Sequence, residues 1–208
     1  MRRLPGLIRR MRRILLALLL GLPGMALAQG PSQAPSRGPA APPRGAEARK
    51  AELDRAFEAL RTAPDEAGAA LVEARIHMLW GQAVTPSVAL LLRRGARNLE
   101  ADMPGEALED YDAAITLAPE VPETWFLRAQ ANLRAGAPTA AARDLQEVLR
   151  LEPRHWHALT MLATIQDEAG DAKGALRSLQ AALAINPRMP GGEVRLREQR
   201  RKAEGEAT

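Results

Sequence analysis

Apolar residues recur at helical spacing between residues 88 and 189, and the whole pattern returns every 34 residues. Pro119, Pro153 and Pro187 mark this period, because each stands at the same place of its unit. Proline lacks an amide donor and restricts the residue before it, so each proline should end the second helix of its unit. A period in this range indicates stacked helix pairs that share one continuous core. The pattern therefore predicts three antiparallel helix pairs.

The three units cover residues 88–121, 122–155 and 156–189, and side-chain size follows the same order in each. The eighth and twentieth places are small, which lets two helices cross closely; they hold Gly95, Ala129, Ala163, Ala107, Ala141 and Ala175. The fourth place is large and holds Leu91, Trp125 and Leu159. We expect Trp125 to be a buried knob, so that its truncation to alanine costs about 3–5 kcal/mol.

The turn between the two helices of a unit also has a fixed residue type. Gly136 and Gly170 stand where a helix C-terminus favours a left-handed residue, and Asp102 takes that place in the first unit. Aspartate tolerates this conformation less well than glycine.

This order of large, small and proline places resembles the tetratricopeptide repeat family over residues 88–189. The chain departs from the family at the seventh place, where Arg94 and Arg128 replace leucine, and at the eleventh, where Asn98, Asn132 and Gln166 replace tyrosine. The resemblance implies an all-α fold, a right-handed superhelix of antiparallel helix pairs. It also implies a non-catalytic scaffold that binds a protein or peptide in its concave groove.

By the same resemblance, the groove is lined by the second, fifth, ninth and twelfth places of each unit. These hold Ala89, Leu92, Ala96, Leu99, Glu123, Phe126, Gln130, Leu133, His157, Thr160, Thr164 and Asp167. The groove should run from apolar to polar and acidic, and so suit a peptide with an apolar end and a basic or amide-rich end. The alternative is a groove filled by the chain's own N-terminal helices or by a second copy.

One known use of the family is the capture of a terminal carboxylate by lysine and asparagine side chains. The corresponding places here hold Leu92, Ala96, Leu127, His157 and Met161. No pair of cations converges, so a buried carboxylate would stay unpaired at a cost of several kcal/mol. The sequence therefore argues against this ligand.

Two further segments flank the repeats. Residues 47–87 predict a helical hairpin, with a first helix over 47–61 and a second that opens at Pro64. We interpret it as either a cap on the N-terminal end of the array or a decayed fourth repeat. Residues 190–208 predict a charged helix that covers the last unit; the alternative is an arginine and lysine patch for anionic lipid or nucleic acid.

The N-terminal segment has the pattern of a secretory signal. Six arginines precede an apolar run that starts at Ile14, and the small residues around Ala28 suit a cleavage site. We predict a signal peptide over 1–28 and a disordered linker over 29–46, and hence a periplasmic or secreted protein. The twin-arginine route is an alternative to the general secretory route. Membrane contact is expected only if the segment is retained.

Composition narrows the possible functions. Without the first 28 residues, 23 basic and 25 acidic residues remain, and 23 − 25 = −2 argues against nucleic-acid binding. The chain has no cysteine, which excludes thiolate chemistry. We expect no catalytic residue, metal or cofactor, with His155 and His157 solvated beside a packed Trp156. Asp110 and its acidic neighbours on the same helix should face solvent, and a homo-oligomer is possible.

Overall fold

The computed structural model describes residues 44–205, which form α-helices and connecting turns without any strand. The helices are α1 (Arg44–Arg61), α2 (Glu66–Gly81), α3 (Pro86–Glu100), α4 (Pro104–Leu117), α5 (Pro122–Arg134), α6 (Pro138–Leu151), α7 (Trp156–Glu168), α8 (Ala172–Ile185) and α9 (Gly192–Glu204). The predicted all-α fold of helix pairs is confirmed. Within 44–205 no helix has the length and apolarity needed to cross a bilayer. The predicted signal segment and residues 29–43 of the predicted linker lie outside the described residues. The last three residues predicted as linker, 44–46, belong to α1, which begins three residues before the predicted start at 47.

The repeats form three pairs, α3 with α4, α5 with α6 and α7 with α8, and each pair packs on the next. The second helix of each pair ends two residues before its proline, at Leu117, Leu151 and Ile185. Pro119, Pro153 and Pro187 cannot donate an amide hydrogen, and the residue before each is pushed out of the helical region.

The turns inside the repeats adopt the left-handed conformation that the sequence predicts. Gly136 has a φ of 72° and Gly170 a φ of 81°, and Asp102 is the one non-glycine residue of the described part with a positive φ, 57°. The chain reverses direction at these residues, which brings the two helices of a pair side by side.

Close helix crossing explains the small residues. A Cβ built on Gly95 would lie 2.6 Å from the ring of Tyr111, and the alanines at the twentieth place, Ala107, Ala141 and Ala175, have no exposed surface. A larger side chain at these places would force the two helices apart.

Trp125 is not the buried knob that the sequence predicts. It is partly buried against the core of the second repeat; its Nε1 donates to the carbonyl oxygen of Pro119 at 2.8 Å, and the Arg128 guanidinium lies 4.9 Å from its ring centroid. The largest fully buried side chain is Trp156. The expected 3–5 kcal/mol cost for truncating a buried tryptophan therefore applies to Trp156.

The departures from the family at the seventh and eleventh places have a structural reason. In the second repeat, Arg128 Nη2 donates to Asp144 Oδ1 at 2.6 Å and Asn132 donates to Asp144 Oδ2 at 2.9 Å. The buried Asp144 is thus paired by both of the residues that replace apolar ones. Three polar side chains that satisfy one another take the place of an apolar contact.

The first repeat has the same arrangement, with Arg94 and Asn98 donating to Asp110. Asp110 is only 1% exposed, so the expectation that it faces solvent is wrong. In the third repeat the corresponding pair is neutral, with Ser178 donating to Gln166 at 2.7 Å.

The N-terminal hairpin packs in an unexpected place. Asp65 caps α2 by accepting from the Gly68 amide, so the helix begins at Glu66, two residues after the predicted start at Pro64. The buried side chains of α1 and α2 form a cluster with Trp156 and Ala182 of the third repeat. A cap on the N-terminal end of the array would lie on the first repeat. The interpretation of the hairpin as such a cap is therefore wrong.

Stacked rings hold the hairpin against the repeats. Trp80 lies parallel to His155 at 4.5 Å between centroids, and His77 stacks on His157 at 5.3 Å. His155 is fully buried and its Nδ1 accepts from the Ala158 amide, while His157 is half-buried. The expectation that these histidines are solvated is therefore wrong.

Helix α9 packs on α8, and Leu196 contacts the apolar cluster of the third repeat. Lys202 Nζ bonds to Asp167 Oδ2 at 2.7 Å, and Gln199 donates to Asp167 Oδ1 at 3.1 Å. The charged helix thus covers the end of the array with one apolar contact and polar links to α7.

The left-handed glycine predicts a conformational cost for alanine. Gly136→Ala should lower the free energy of unfolding by about 1 kcal/mol, because a Cβ strains a positive φ even where it meets no neighbour. Gly105→Ala, in the helical first turn of α4 with equal space around it, is the control and should not destabilise. Urea denaturation of both variants checks this; an equal effect would contradict the turn assignment.

The buried carboxylate predicts a large cost for removing its arginine. Arg128→Leu should lower the free energy of unfolding by about 2–3 kcal/mol, because Asp144 would remain buried with only one donor. Arg150→Leu removes an exposed pair with Glu147 and should change stability by less than about 0.5 kcal/mol. Thermal unfolding followed by circular dichroism compares the two; equal melting temperatures would refute the pairing.

The stacked histidines predict a loss of stability in acid. Burial, together with the neighbouring His77 and His155, lowers the pKa of His157 from 6.5 to about 4, against the opposing charge of Glu123. The pKa of His77 is also lowered by burial, against the opposing charges of Glu123 and Glu73. Because the folded pKa of His157 lies below the unfolded value, its neutral form contributes stability above pH 6.5 that is lost as the pH falls toward 4.

We expect the protonation of His157 to lower the free energy of unfolding by about 1–2 kcal/mol at pH 4.5 relative to pH 7.5, after allowance for the exposed part of the ring. Chemical denaturation at both pH values should show a smaller pH effect in His157→Gln than in the parent chain. A pH effect of the same size in both would contradict the role of the ring.

Candidate peptide-binding groove

The first helices of the repeats share one face of the array, and the C-terminal end of α2 lies beside it. Between α2, α3 and α5 is a cavity of about 360 Å³. Most of its lining is apolar or small, with one cation and one carboxylate; the lining residues are His77, Gly81, Val84, Ala89, Leu92, Arg93, Ala96, Glu123 and Leu127. Such a cavity suits an apolar side chain of a ligand.

Four of the residues predicted for the groove lie in this cavity. Leu92 forms part of its apolar wall and is 9% exposed, and Glu123 supplies its carboxylate. Ala89 and Ala96, at the same series of places, also line it. The structure therefore brings these four positions together around one space.

Two other predicted residues are covered by other parts of the chain. Phe126 is only 7% exposed, and its ring lies 4.6 Å from His155 of the third repeat. His157 stacks on His77 of α2. Both surfaces already have partners within the chain, so a peptide in the groove would reach His157 only if the hairpin moved.

The central part of the predicted groove is half-buried. Leu99 packs against the core of the first repeat and Leu133 against that of the second, while Gln130 is partly exposed between them. Contact of these three residues with a partner stays a prediction.

The polar end of the predicted groove is engaged by α9. Thr160 and Thr164 donate to carbonyl oxygens one turn earlier in α7, and Arg195 donates to Thr164 at 3.4 Å. The hydrogen bond and charge of Lys202 lower the pKa of Asp167. The acidic end that the sequence predicts is therefore neutralised by the chain itself.

Glu123 lies near two other polar side chains, His155 and Tyr111. Its Oε2 lies 3.9 Å from His155 Nε2, too far for a direct hydrogen bond. Burial, with the nearby carboxylates of Asp110 and Glu123, raises the pKa of Tyr111 to about 12. Among residues 44–205 no group of three metal-ligating side chains converges.

Sequence reasoning missed the wall that the hairpin supplies. His77 and Val84 belong to the segment interpreted as a cap, and Arg93 and Leu127 stand at other places of their units. Only a contact between segments distant along the chain brings His77 here, and no spacing pattern reports such a contact. The pairing of Arg94 and Arg128 with aspartates could have been found, since both members change together between repeats.

Comparison with known proteins identifies the repeats. Models of the family described as "Tetratricopeptide repeat" match residues 132–190 and 92–144. No curated protein sequence matches the chain.

Solved structures with the same fold include tetratricopeptide repeat domains. The first such domain of Spaghetti (RPAP3), bound to the HSP90 peptide SRMEEVD, is 17% identical with a TM-score of 0.54, over 57% of this chain and 96% of that one. The Sgt2 domain from Aspergillus fumigatus is 24% identical with a TM-score of 0.54, over 58% and 82%. The MamA protein is 18% identical with a TM-score of 0.53, over 77% and 85%.

The matched segments together extend from residue 92 to residue 190, which includes the cores of all three units. Fold and repeat sequence agree, and the chain belongs to the tetratricopeptide repeat family.

Proposed function

We propose that the chain is a non-catalytic scaffold that binds an apolar segment of a partner protein in the cavity between α2, α3 and α5. The observation that carries this proposal is the cavity itself, which lies on the face formed by the first helices of the repeats and has Leu92 and Leu127 in its wall. An apolar side chain that enters it would remove both its own surface and this wall from water.

The structural neighbours support a peptide as the ligand, since one of them is bound to the HSP90 peptide SRMEEVD. Its acidic sequence is not a model for the ligand here. Leu92, Ala96 and Leu127 stand at places where lysine and asparagine would capture a terminal carboxylate. Among the residues that line the cavity, Arg93 is the one cation. An apolar anchor, with at most one acidic group beside it, fits this lining.

A second function is favoured by the position of the hairpin. Because His77 of α2 stacks on His157, the N-terminal helices occupy part of the predicted groove. The chain would then be a structural module in which the repeats serve to hold the hairpin. The two functions are compatible when a partner uses only the cavity of the first two repeats.

For the cellular setting, we propose the bacterial envelope, with the protein periplasmic or secreted. The support is the arginine-rich and apolar pattern of residues 1–28. N-terminal sequencing of the exported protein should give a start at Gln29, whereas a start at Met1 would contradict cleavage.

A cavity-filling variant tests the binding function. Benzoylphenylalanine at Ala89, which lines the cavity, should crosslink to a partner in the native envelope. Ala96→Arg fills the same space and should lower the yield of that crosslink by about tenfold or more. Thr116→Arg adds the same charge on the exposed face of α4 and is the matched control.

The readout is the yield of each crosslinked species, separated by mass, in every variant. Loss in Ala96→Arg with retention in Thr116→Arg supports partner binding. Equal yields in all variants, or a crosslink only to the chain's own helices, would reject it in favour of the structural module.

A further inference from the structure

One face of α2 is apolar although it faces solvent. Leu71 is 76% exposed and Met78 is 50% exposed, and the alanines on the same face are exposed as well. We call this face the α2 stripe; it consists of Ala67, Ala70, Leu71, Ala74 and Met78. A solvent-facing helix face normally carries charged or polar side chains, so an exposed apolar face marks an interaction surface.

The three charged residues of α2 lie outside the stripe. Arg75 pairs with Glu52 of α1, and Glu73 accepts a hydrogen bond from Asn186, which follows α8. Glu66 is the first residue of the helix. The flanks of α2 are thus engaged by neighbouring helices, and none of the stripe residues lines the groove cavity. The stripe is therefore a surface separate from the site of the proposed function.

Large and small side chains alternate along the stripe in an order that is complementary to itself. From the N-terminal to the C-terminal end it presents Ala67, Leu71, Ala74 and Met78. In an antiparallel pair of α2 helices, Leu71 can lie opposite the partner's Ala74 and Met78 opposite the partner's Ala67, so each large side chain meets a small one. In a parallel pair, leucine would meet leucine and methionine would meet methionine. A two-fold axis makes the two halves of the antiparallel contact identical.

Charges at the two ends of α2 also favour an antiparallel pair. Asp65 and Glu66 are exposed at its N-terminal end, and the exposed Arg93 lies beside Gly81 at its C-terminal end. Antiparallel pairing brings the acidic end of one copy toward the cationic end of the other, and it also aligns the helix dipoles favourably. Parallel pairing would bring the carboxylates of both copies together.

We propose that the α2 stripe binds the α2 stripe of a second copy, with the two helices antiparallel about a two-fold axis. The stripe from residue 67 to residue 78 is about 17 Å long, at a rise of about 1.5 Å per residue. A contact of this length is smaller than a permanent dimer interface, so the dissociation constant should be about 10–500 µM. The inference goes beyond the proposed function, because a dimer would carry two groove cavities and use neither for its assembly.

Sedimentation equilibrium of the exported protein, from about 10 µM to about 1 mM, measures the self-association. Leu71→Arg places a charge in the contact and should weaken the dimer by about tenfold or more. Leu117→Arg is the matched control, because Leu117 is 60% exposed at the end of α4, and it should leave the dimer unchanged. Both variants should keep the melting temperature of the parent chain, since neither side chain is buried.

Introduced cysteines test the antiparallel register, because the chain has no cysteine of its own. A mixture of Ala67→Cys chains and Met78→Cys chains, oxidised at about 500 µM, should form a disulfide-linked dimer. Neither variant should form one alone, because the two copies of residue 67 would lie about 17 Å apart along the helices, too far for a disulfide. Parallel pairing predicts the reverse result.

Three results would overturn the proposal. The first is a parent chain that stays monomeric up to about 1 mM, as it would if another segment of the same chain covered the stripe. The second is a dimer that Leu71→Arg leaves intact, and the third is a disulfide in the unmixed cysteine variants. Binding of the monomeric parent chain, but not of Leu71→Arg, to phosphatidylcholine vesicles would assign the stripe to a membrane surface instead.

The same variants distinguish the stripe from the groove. Ala96→Arg should keep the dimer and lose the partner crosslink at Ala89, whereas Leu71→Arg should lose the dimer and keep that crosslink. Failure of one surface therefore does not imply failure of the other.

Discussion

The docking of the N-terminal hairpin on the third repeat determines what the rest of the molecule can do. Trp80 stacks on His155, and Trp156 is buried among the side chains of α1 and α2. These contacts remove aromatic surface of both the hairpin and the third repeat from water. They stabilise the docking by more than the buried area alone predicts, because the rings meet in stacked or edge-to-face geometry. They cover part of the concave face and leave the cavity at α3 and α5 open to solvent. The proposed binding surface therefore depends on this set of rings.

Local rules account for the features that the sequence predicts correctly. The 34-residue period, the small residues at helix crossings and the left-handed turn residues each act within one repeat or between adjacent repeats. Such contacts leave a spacing pattern in the sequence. The hairpin position leaves none, since His77 meets His157 across a long stretch of chain. The burial of Asp110 cannot be predicted from its own helix, because an acidic residue on an apparent solvent-facing stripe looks the same whether or not an arginine pairs with it. Comparison of the repeats could have predicted its pairing with Arg94, because both residues change together in the third repeat.

The family pattern predicts where the groove residues lie, but it does not predict which of them a ligand can reach. Leu92 and Glu123 lie at one cavity, as their places imply. His157 also lies on that face but is covered by His77 of the hairpin. Phe126 is buried against His155 of the third repeat, and Asp167 is engaged by Lys202. Elements outside the repeats thus reduce a long predicted surface to a short one. This favours a ligand with a compact apolar anchor over one that spans three repeats.

The hairpin also changes how the array should unfold. Asn186 donates to Glu73, and Arg188 donates to the Ala63 carbonyl, so the first helices are tied to the end of the last repeat. An ordinary solenoid can fray one unit at a time, because each unit contacts only its neighbours. Here the third repeat cannot open without also releasing the hairpin. During synthesis, α1 and α2 can dock only after the third repeat has been made. The contacts between the hairpin and the third repeat join both ends of the domain into one cooperative unit.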